Sequence, residues 1–162
     1  MKKVHVGTMG WSYSFWNENF YPKGTRSSNY LAEYSKHFNT VEIDNTFYRV
    51  PSETTFARWK EETPDNFMFS AKFPQVITHR KMLENCDAEV QFFIERTSGL
   101  QNKLGPLLLQ LPPTFVPKKL PVMEEFLQKL PKKHRYAVEV RSREMLSETL
   151  YSMLKENNVA LT

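Results

Sequence analysis

The strongest constraint on this chain is a repeated alternation of short apolar runs with longer amphipathic ones, joined by connections too long for hairpins. The unit is clearest between Asn39 and Trp59. Thr40 to Ile43 is short, β-branched and alternating, so Val41 and Ile43 share one face of a strand while Thr40 and Glu42 share the other. A strand that reads as buried thereby carries a carboxylate on its second face. Asp44, Asn45, Thr46 and Tyr48 form a polar loop, and Pro51-Ser52 opens an amphipathic helix with Ser52 as its N-cap and Phe56 and Trp59 as its packing pair.

The same strand-loop-helix unit recurs along the chain. Val4 to Gly7 reads as the first strand, followed by a loop crowded with rings from Trp11 to Tyr21 and a helix over Ser28 to Phe38 that buries Leu31, Tyr34 and Phe38. Phe67 to Lys72 is a third strand, and Asp87 to Leu104 a helix with Val90, Phe93, Ile94 and Thr97 in period. Leu107 to Leu111 is apolar almost throughout, as suits a parallel strand covered on both faces. A helix over Pro121 to Leu130 burying Val122, Phe126 and Leu130, a strand over Tyr136 to Val140 and a helix over Arg143 to Asn157 burying Leu146, Leu150, Met153 and Leu154 complete the pattern. Val159 to Thr162 then begins a sixth strand. Strict alternation implies a parallel sheet, either doubly wound or closed into a barrel.

At 162 residues and 40% hydrophobic content, residues 1–162 are expected to form one domain. Met1-Lys2-Lys3 leads straight into the first strand pattern, without the apolar stretch of a secretion signal. The apolar run Leu104 to Leu111 is broken by Gly105, Pro106 and Gln110 and is too short to cross a bilayer. A cytoplasmic protein without a membrane partner is the expectation. Cys86 has no cysteine to pair with and no His/Cys cluster around it, so it reads as an ordinary helix-start residue. A net charge of +4 suits an anionic ligand better than a nucleic-acid tail.

Gly7-Thr8-Met9-Gly10-Trp11-Ser12-Tyr13, Phe20-Tyr21-Pro22, Phe38 to Ile43, Thr46-Phe47-Tyr48, Lys72-Phe73-Pro74, Thr78-His79, and Leu104-Gly105-Pro106 through Leu111-Pro112-Pro113 run in an order that resembles the YecE-like proteins. That family is catalogued as domain of unknown function seventy-two. The resemblance implies a TIM-type β/α barrel and no established family-wide reaction. It further implies that the chain is an incomplete barrel, about five βα units and the start of a sixth strand, because barrels of this type need roughly 250 residues. The outer edges of such an open sheet invite self-association. The His-Gly and Phe-Asn-Asn motifs that family members carry in later strands are absent. After the fifth strand, where members often read Arg-His-Pro-Ser-Trp, this chain reads Arg141-Ser142-Arg143-Glu144-Met145, so any role of that His and Trp is not carried over.

Strand parity supplies the candidate site. If Val41, Phe69 and Val138 face the helices, then Glu42, Lys72, Gln110, Glu139 and Arg141 face the barrel interior near the carboxyl ends of their strands, where β/α barrels place their sites. Glu42, Glu139 and Lys72 are the expected catalytic residues, with Trp11, Tyr13, Asn45, Tyr48, His79, Gln110 and Arg141 expected to hold a ligand. Paired carboxylates beside cations suit hydrolysis or proton transfer on a small polar or anionic substrate, phosphorylated or sugar-like. A structural ion-pair network is the competing arrangement. No metal is expected, since His79 lacks a second His at ligand spacing, and the residues assign no cofactor. A nucleic-acid-binding barrel, suggested by the ring-rich loop and by Lys118-Lys119, ranks second to the enzyme. Lys132-Lys133-His134-Arg135 precedes a strand and so belongs to the opposite, amino-terminal end.

Overall fold

The computed structural model describes residues 4–162; Met1 to Lys3, and with them the start of the chain considered above, lie outside the described residues. Six strands form one sheet: β1 (Gly7–Met9), β2 (Thr40–Ile43), β3 (Met68–Lys72), β4 (Leu104–Gln110), β5 (Tyr136–Glu139) and β6 (Val159–Leu161). They lie side by side in sequence order and every neighbouring pair is parallel. The crossovers carry α1 (Tyr30–Tyr34), α2 (Glu53–Glu61), α3 (Asp87–Thr97), α4 (Leu120–Lys129) and α5 (Glu148–Glu156). This order never reverses, which separates it from a doubly wound sheet with its switch point. Nor is it a closed barrel: β1 and β6 form the two edges and do not pair with each other.

Register divides the sheet into two faces. Val41 lies beside Phe69, Ile43 beside Ala71, Ala71 beside Leu107, and Leu109 beside Val138; all are buried. They join Phe56, Trp59, Phe93, Met123, Phe126, Leu150 and Leu154 from the helices in one core. Glu42 beside Ser70 and Gln110 beside Glu139 occupy the other face. The parity assumed from the sequence is therefore the observed one.

Several boundaries differ from expectation, each for a local reason. The first strand is Gly7–Met9 rather than Val4 to Gly7, and Val4 and Val6 are exposed. Gly7 sits so tightly against β2 that a Cβ there would lie 2.0 Å from the Thr40 carbonyl oxygen. The helix expected over Ser28 to Phe38 is a 3-10 turn followed by the five-residue α1, with Leu31 and Tyr34 buried. α3 ends at Thr97, because a 3-10 segment follows in which Gln101 takes φ 52°, and β4 starts three residues early at Leu104. In α4 the inward residues are Met123, Phe126 and Leu127, with Val122 half-buried. α5 starts at Glu148 under a Ser147 cap, so Leu146 is exposed and Met145 takes its place in the core.

Ser52 caps α2 as expected, its hydroxyl accepting from the Thr55 N–H at 3.3 Å. The other end of α2 is closed by a residue the sequence did not single out. Lys103, 4% exposed, donates its ammonium to the Lys60 carbonyl at 2.6 Å and the Thr63 carbonyl at 2.7 Å. Burial pushes its pKa down, while the charge of Asp65 opposes that shift. This contact satisfies orphan carbonyls of the helix terminus and fixes α2 to the start of β4.

β4 meets β3 through Gly105, where an added Cβ would lie 2.8 Å from the Phe69 carbonyl oxygen and 2.8 Å from Met68 Cγ. The Met68 side chain is flexible, but the backbone oxygen is fixed by the sheet. Gly105→Ala is therefore expected to destabilise the fold by about 1–3 kcal/mol. Urea unfolding checks this, as a lowered midpoint at unchanged slope.

Candidate functional site

Lys72, 8% exposed at the end of β3, is the most buried charge on the polar face. Its ammonium lies 3.1 Å from Asp44 Oδ1 and 4.6 Å from the centre of the Phe47 ring. Asp44 is placed by a helical turn of the backbone directly after β2, which runs into a 3-10 turn over Asn45–Phe47. The buried Thr46 hydroxyl lies 2.8 Å from the Ile43 carbonyl oxygen and 2.7 Å from that of Lys72, tying the ends of β2 and β3 together. The Lys72–Asp44 pair is thus held on both sides by backbone.

Two strands further along, Gln110 on β4 and Glu139 on β5 are in register, and the Gln110 amide donates to both Glu139 carboxylate oxygens at 3.0 Å. Arg141 Nε lies 2.6 Å from Glu139 Oε1. Arg141 was expected to face inward from the strand. Instead β5 ends at Glu139, and Arg141 lies beyond it, exposed and folded back onto that carboxylate.

Glu42 completes the group. With the Lys72 ammonium on Asp44 and the Gln110 amide on Glu139, no donor among the described residues reaches its carboxylate. Burial pushes the Glu42 carboxyl up, Lys72 pulls it back, and the negative charges of Asp44 and Glu139 push it up further. A carboxyl in such surroundings holds its proton to higher pH than a free one.

His79 lies on a π-type turn, Val76–Arg80, that follows β3. Its Nδ1 is 2.8 Å from the Thr78 hydroxyl and its ring meets Phe47 edge-on at 4.9 Å. Burial and then the charge of Lys72 lower its pKa, so the imidazole is neutral near pH 7. Phe47 therefore has Lys72 over its ring and His79 at its edge. Tyr48, 72% exposed, packs edge-on against Phe47.

Beside Asp44 a cleft of about 190 Å³ is lined by Gly10, Trp11, Ser12, Tyr13, Ile43, Asp44 and Asn45. Trp11, Tyr13 and Asn45 are thus brought together at one wall. The ring-rich loop is nonetheless no open stacking platform. Trp11 packs edge-on against Trp59 at 4.9 Å, the Tyr13 hydroxyl donates to the Met9 carbonyl, and Trp16 stacks on Tyr34. Most of these rings close over the core. Asp44 and Phe47 are the members that sequence reasoning did not assign to the site. Strand parity says nothing about residues beyond a strand end, although an acid directly after a strand was the available signal.

Among the described residues, no group of three or more His, Cys, Asp or Glu is placed to hold a metal ion, and no helix is long and apolar enough to cross a membrane. The basic residues are dispersed: Lys119 pairs with Glu84, Lys118 is exposed, and Lys132 donates to the Leu127 carbonyl at 3.1 Å near the amino end of β5.

Fold and site together define a parallel β/α protein, wound in one direction, with a cluster of acids and bases at the carboxyl ends of its strands. The chain matches the family described as Protein of unknown function DUF72 over residues 5–162, and it belongs to that family. It is 41% identical over 138 residues to the UPF0759 protein YecE of Escherichia coli K12, covering 85% of this chain and 48% of the relative. It is 34% identical over 122 residues to the UPF0759 protein YunF of Bacillus subtilis, covering 72% of this chain and 42% of that protein. The chain thus spans under half the length of these curated relatives. A crystal structure of a DUF72 family protein from Thermotoga maritima superposes with a TM-score of 0.85 at 27% identity, covering 99% of this chain and 64% of the other. One from Enterococcus faecalis shares the fold with a TM-score of 0.75 at 22% identity, over 98% of this chain and 60% of that one.

The surroundings of Glu42 make a prediction about stability. A carboxyl raised in the folded state contributes stability below its unfolded pKa and loses that contribution as pH rises through the folded value. Ionised Glu42 therefore costs stability at neutral pH. Glu42→Gln is expected to be more stable than wild type at about pH 7, with the advantage disappearing toward about pH 4. Urea unfolding at the two pH values checks this, and a variant weakened at neutral pH contradicts the assignment.

Proposed function

We propose that this sheet is part of a β/α barrel and that the charged face at its strand ends is the mouth of an enzyme. The observation that carries the reading is the difference between two carboxyls on one face. Glu42 is half-buried, raised and free of hydrogen bonds among the described residues, while Glu139 is fixed by Gln110 and matched by Arg141. Environments that treat two carboxyls differently are how an acid and a base are told apart. In this reading Glu42 delivers a proton to the leaving group of a small polar substrate, and Glu139 accepts one from attacking water or from the substrate itself. Lys72, on Asp44, holds negative charge on the substrate, and Gln110 and Arg141 orient Glu139. Trp11, Tyr13 and Asn45 provide a wall for a phosphorylated or sugar-like ligand, with His79 and Tyr48 flanking Phe47 behind it. No step calls on a cofactor, and the setting is cytoplasmic.

Binding of nucleic acid at the mouth is the weaker reading, because Lys119 is already paired with Glu84 and the basic run Lys132 to Arg135 lies before β5, at the opposite end. A thermal-shift screen with sugars, sugar phosphates and short oligonucleotides separates the two. A small ligand is expected to stabilise the wild type, with the shift lost in Lys72→Met and altered in Glu42→Gln. Salt-sensitive oligonucleotide binding that ignores both substitutions would overturn the enzyme reading.

We further propose that the outer edges of β1 and β6, which pair with no other strand among the described residues, take part in self-association. Self-association that grows with concentration is the expected light-scattering result. A compact monomer throughout the accessible range contradicts it.

A further inference from the structure

A second cleft lies at the other end of the sheet, about 16 Å along β4 from Gln110, taking five residue steps from Gly105. Its volume is about 300 Å³, and Gln101, Gly105, Lys133, His134 and Arg135 are among its lining residues. Apart from Ser98, whose hydroxyl donates to the Ile94 carbonyl at 2.7 Å, its polar side chains offer donors with few partners among the described residues. Lys133 and Arg135 are exposed and take part in no ion pair among the described residues. The one hydrogen bond of the Arg135 guanidinium among the described residues is to Met68 Sδ, at 3.5 Å. The Gln101 amide oxygen accepts from Lys60 Nζ at 2.6 Å, which leaves its NH2 group to donate. His134 contributes an Nε2 that is buried and has no hydrogen-bond partner among the described residues.

Two of these features ask for an explanation beyond folding. A buried ring nitrogen without a partner is uncommon, and one cause is a ligand or ion that the protein alone does not include. Gln101 holds φ 52°, a conformation side-chain-bearing residues seldom adopt, and such strain clusters at ligand sites. Both belong to residues of the same cleft, on segments far apart in sequence. Donors in the form of an ammonium, a guanidinium fork and an amide, with no carboxylate among the lining residues, select a tetrahedral oxyanion over a cation or a neutral sugar.

We propose that this cleft is a phosphate-binding site, taking free phosphate or the phosphate of a small metabolite, separate from the mouth at the carboxyl ends of the strands. Lys133 and Arg135 hold the anion, the Gln101 amide orients it, and the unpartnered His134 nitrogen gains a hydrogen-bond partner from the anion or from water bound to it. The proposal stands independently of the enzyme reading, since it uses none of the same residues.

Titration of the protein with inorganic phosphate, followed by amide chemical shifts, tests it. Saturable shifts confined to Gln101, Gly105, His134 and Arg135 are expected. The exposed pair Lys133→Ala/Arg135→Ala should weaken binding roughly tenfold or more. Arg135→Lys, which keeps the charge but loses the fork, should weaken it less. Lys118→Ala, which removes the same charge at the other end of the sheet, should leave it unchanged. Shifts that never saturate, equal weakening by Lys118→Ala, or perturbation centred on Lys72 overturn the proposal. In a parallel arm, a deoxythymidine oligomer that binds far more tightly than phosphate, with a steep salt dependence, identifies a nucleic-acid surface instead and also overturns it.

Discussion

Parallel register across β2, β3, β4 and β5 is the constraint on which the rest depends. A slip of one residue would carry Glu42 into the core and expose Ile43, and the same exchange would befall Glu139 and Val138. Close backbone approaches hold the register in place. Gly7 and Gly105 let neighbouring strands come together where no side chain fits, and the Thr46 hydroxyl joins the carbonyls at the ends of β2 and β3. The same features that align the strands therefore bring acids and bases to one face. Folding and site assembly are a single event here.

The charged cluster is not a fully compensated network. Three carboxyls, Glu42, Asp44 and Glu139, face two cations, Lys72 and Arg141, and each cation has already chosen a carboxylate. An unpaired buried charge is the costly case, and the most buried member, Lys72, is paired. The odd member here is half-buried Glu42, whose carboxyl is pushed up by burial and by the charges of Asp44 and Glu139. An anion entering beside Lys72 would compete with Asp44 for its ammonium.

Much of this was legible in the sequence because two periodicities carry it. The period of two placed Glu42, Lys72, Gln110 and Glu139 on one face, and the alternation of element types required parallel strands. Parity failed where strands end. Arg141 lies beyond β5, and Asp44 reaches Lys72 from a turn that no alternation rule describes. Element boundaries moved for backbone reasons invisible to hydrophobic patterning, such as the positive φ of Gln101 that ends the α3 region early. Barrel closure was implied by resemblance alone; the described residues form an open sheet with edges at β1 and β6.

Lysine shows most plainly why the remainder was out of reach. Lys103 is buried and satisfied by the carbonyls at the end of α2, Lys132 donates to a carbonyl at the end of α4, and Lys72 sits between a carboxylate and a ring. All three present the same side chain to a reader of the sequence. Their difference lies in the acceptor. A helix carbonyl is fixed by the backbone and cannot be taken over by a ligand without fraying the helix, so Lys103 and Lys132 are committed to the fold. Asp44 is a partly exposed side chain, free to turn away at modest cost, so only Lys72 of the three can exchange its partner. The chemistry of the site thus follows from which cation has a replaceable partner, a property of three-dimensional neighbours that residue type and spacing do not encode.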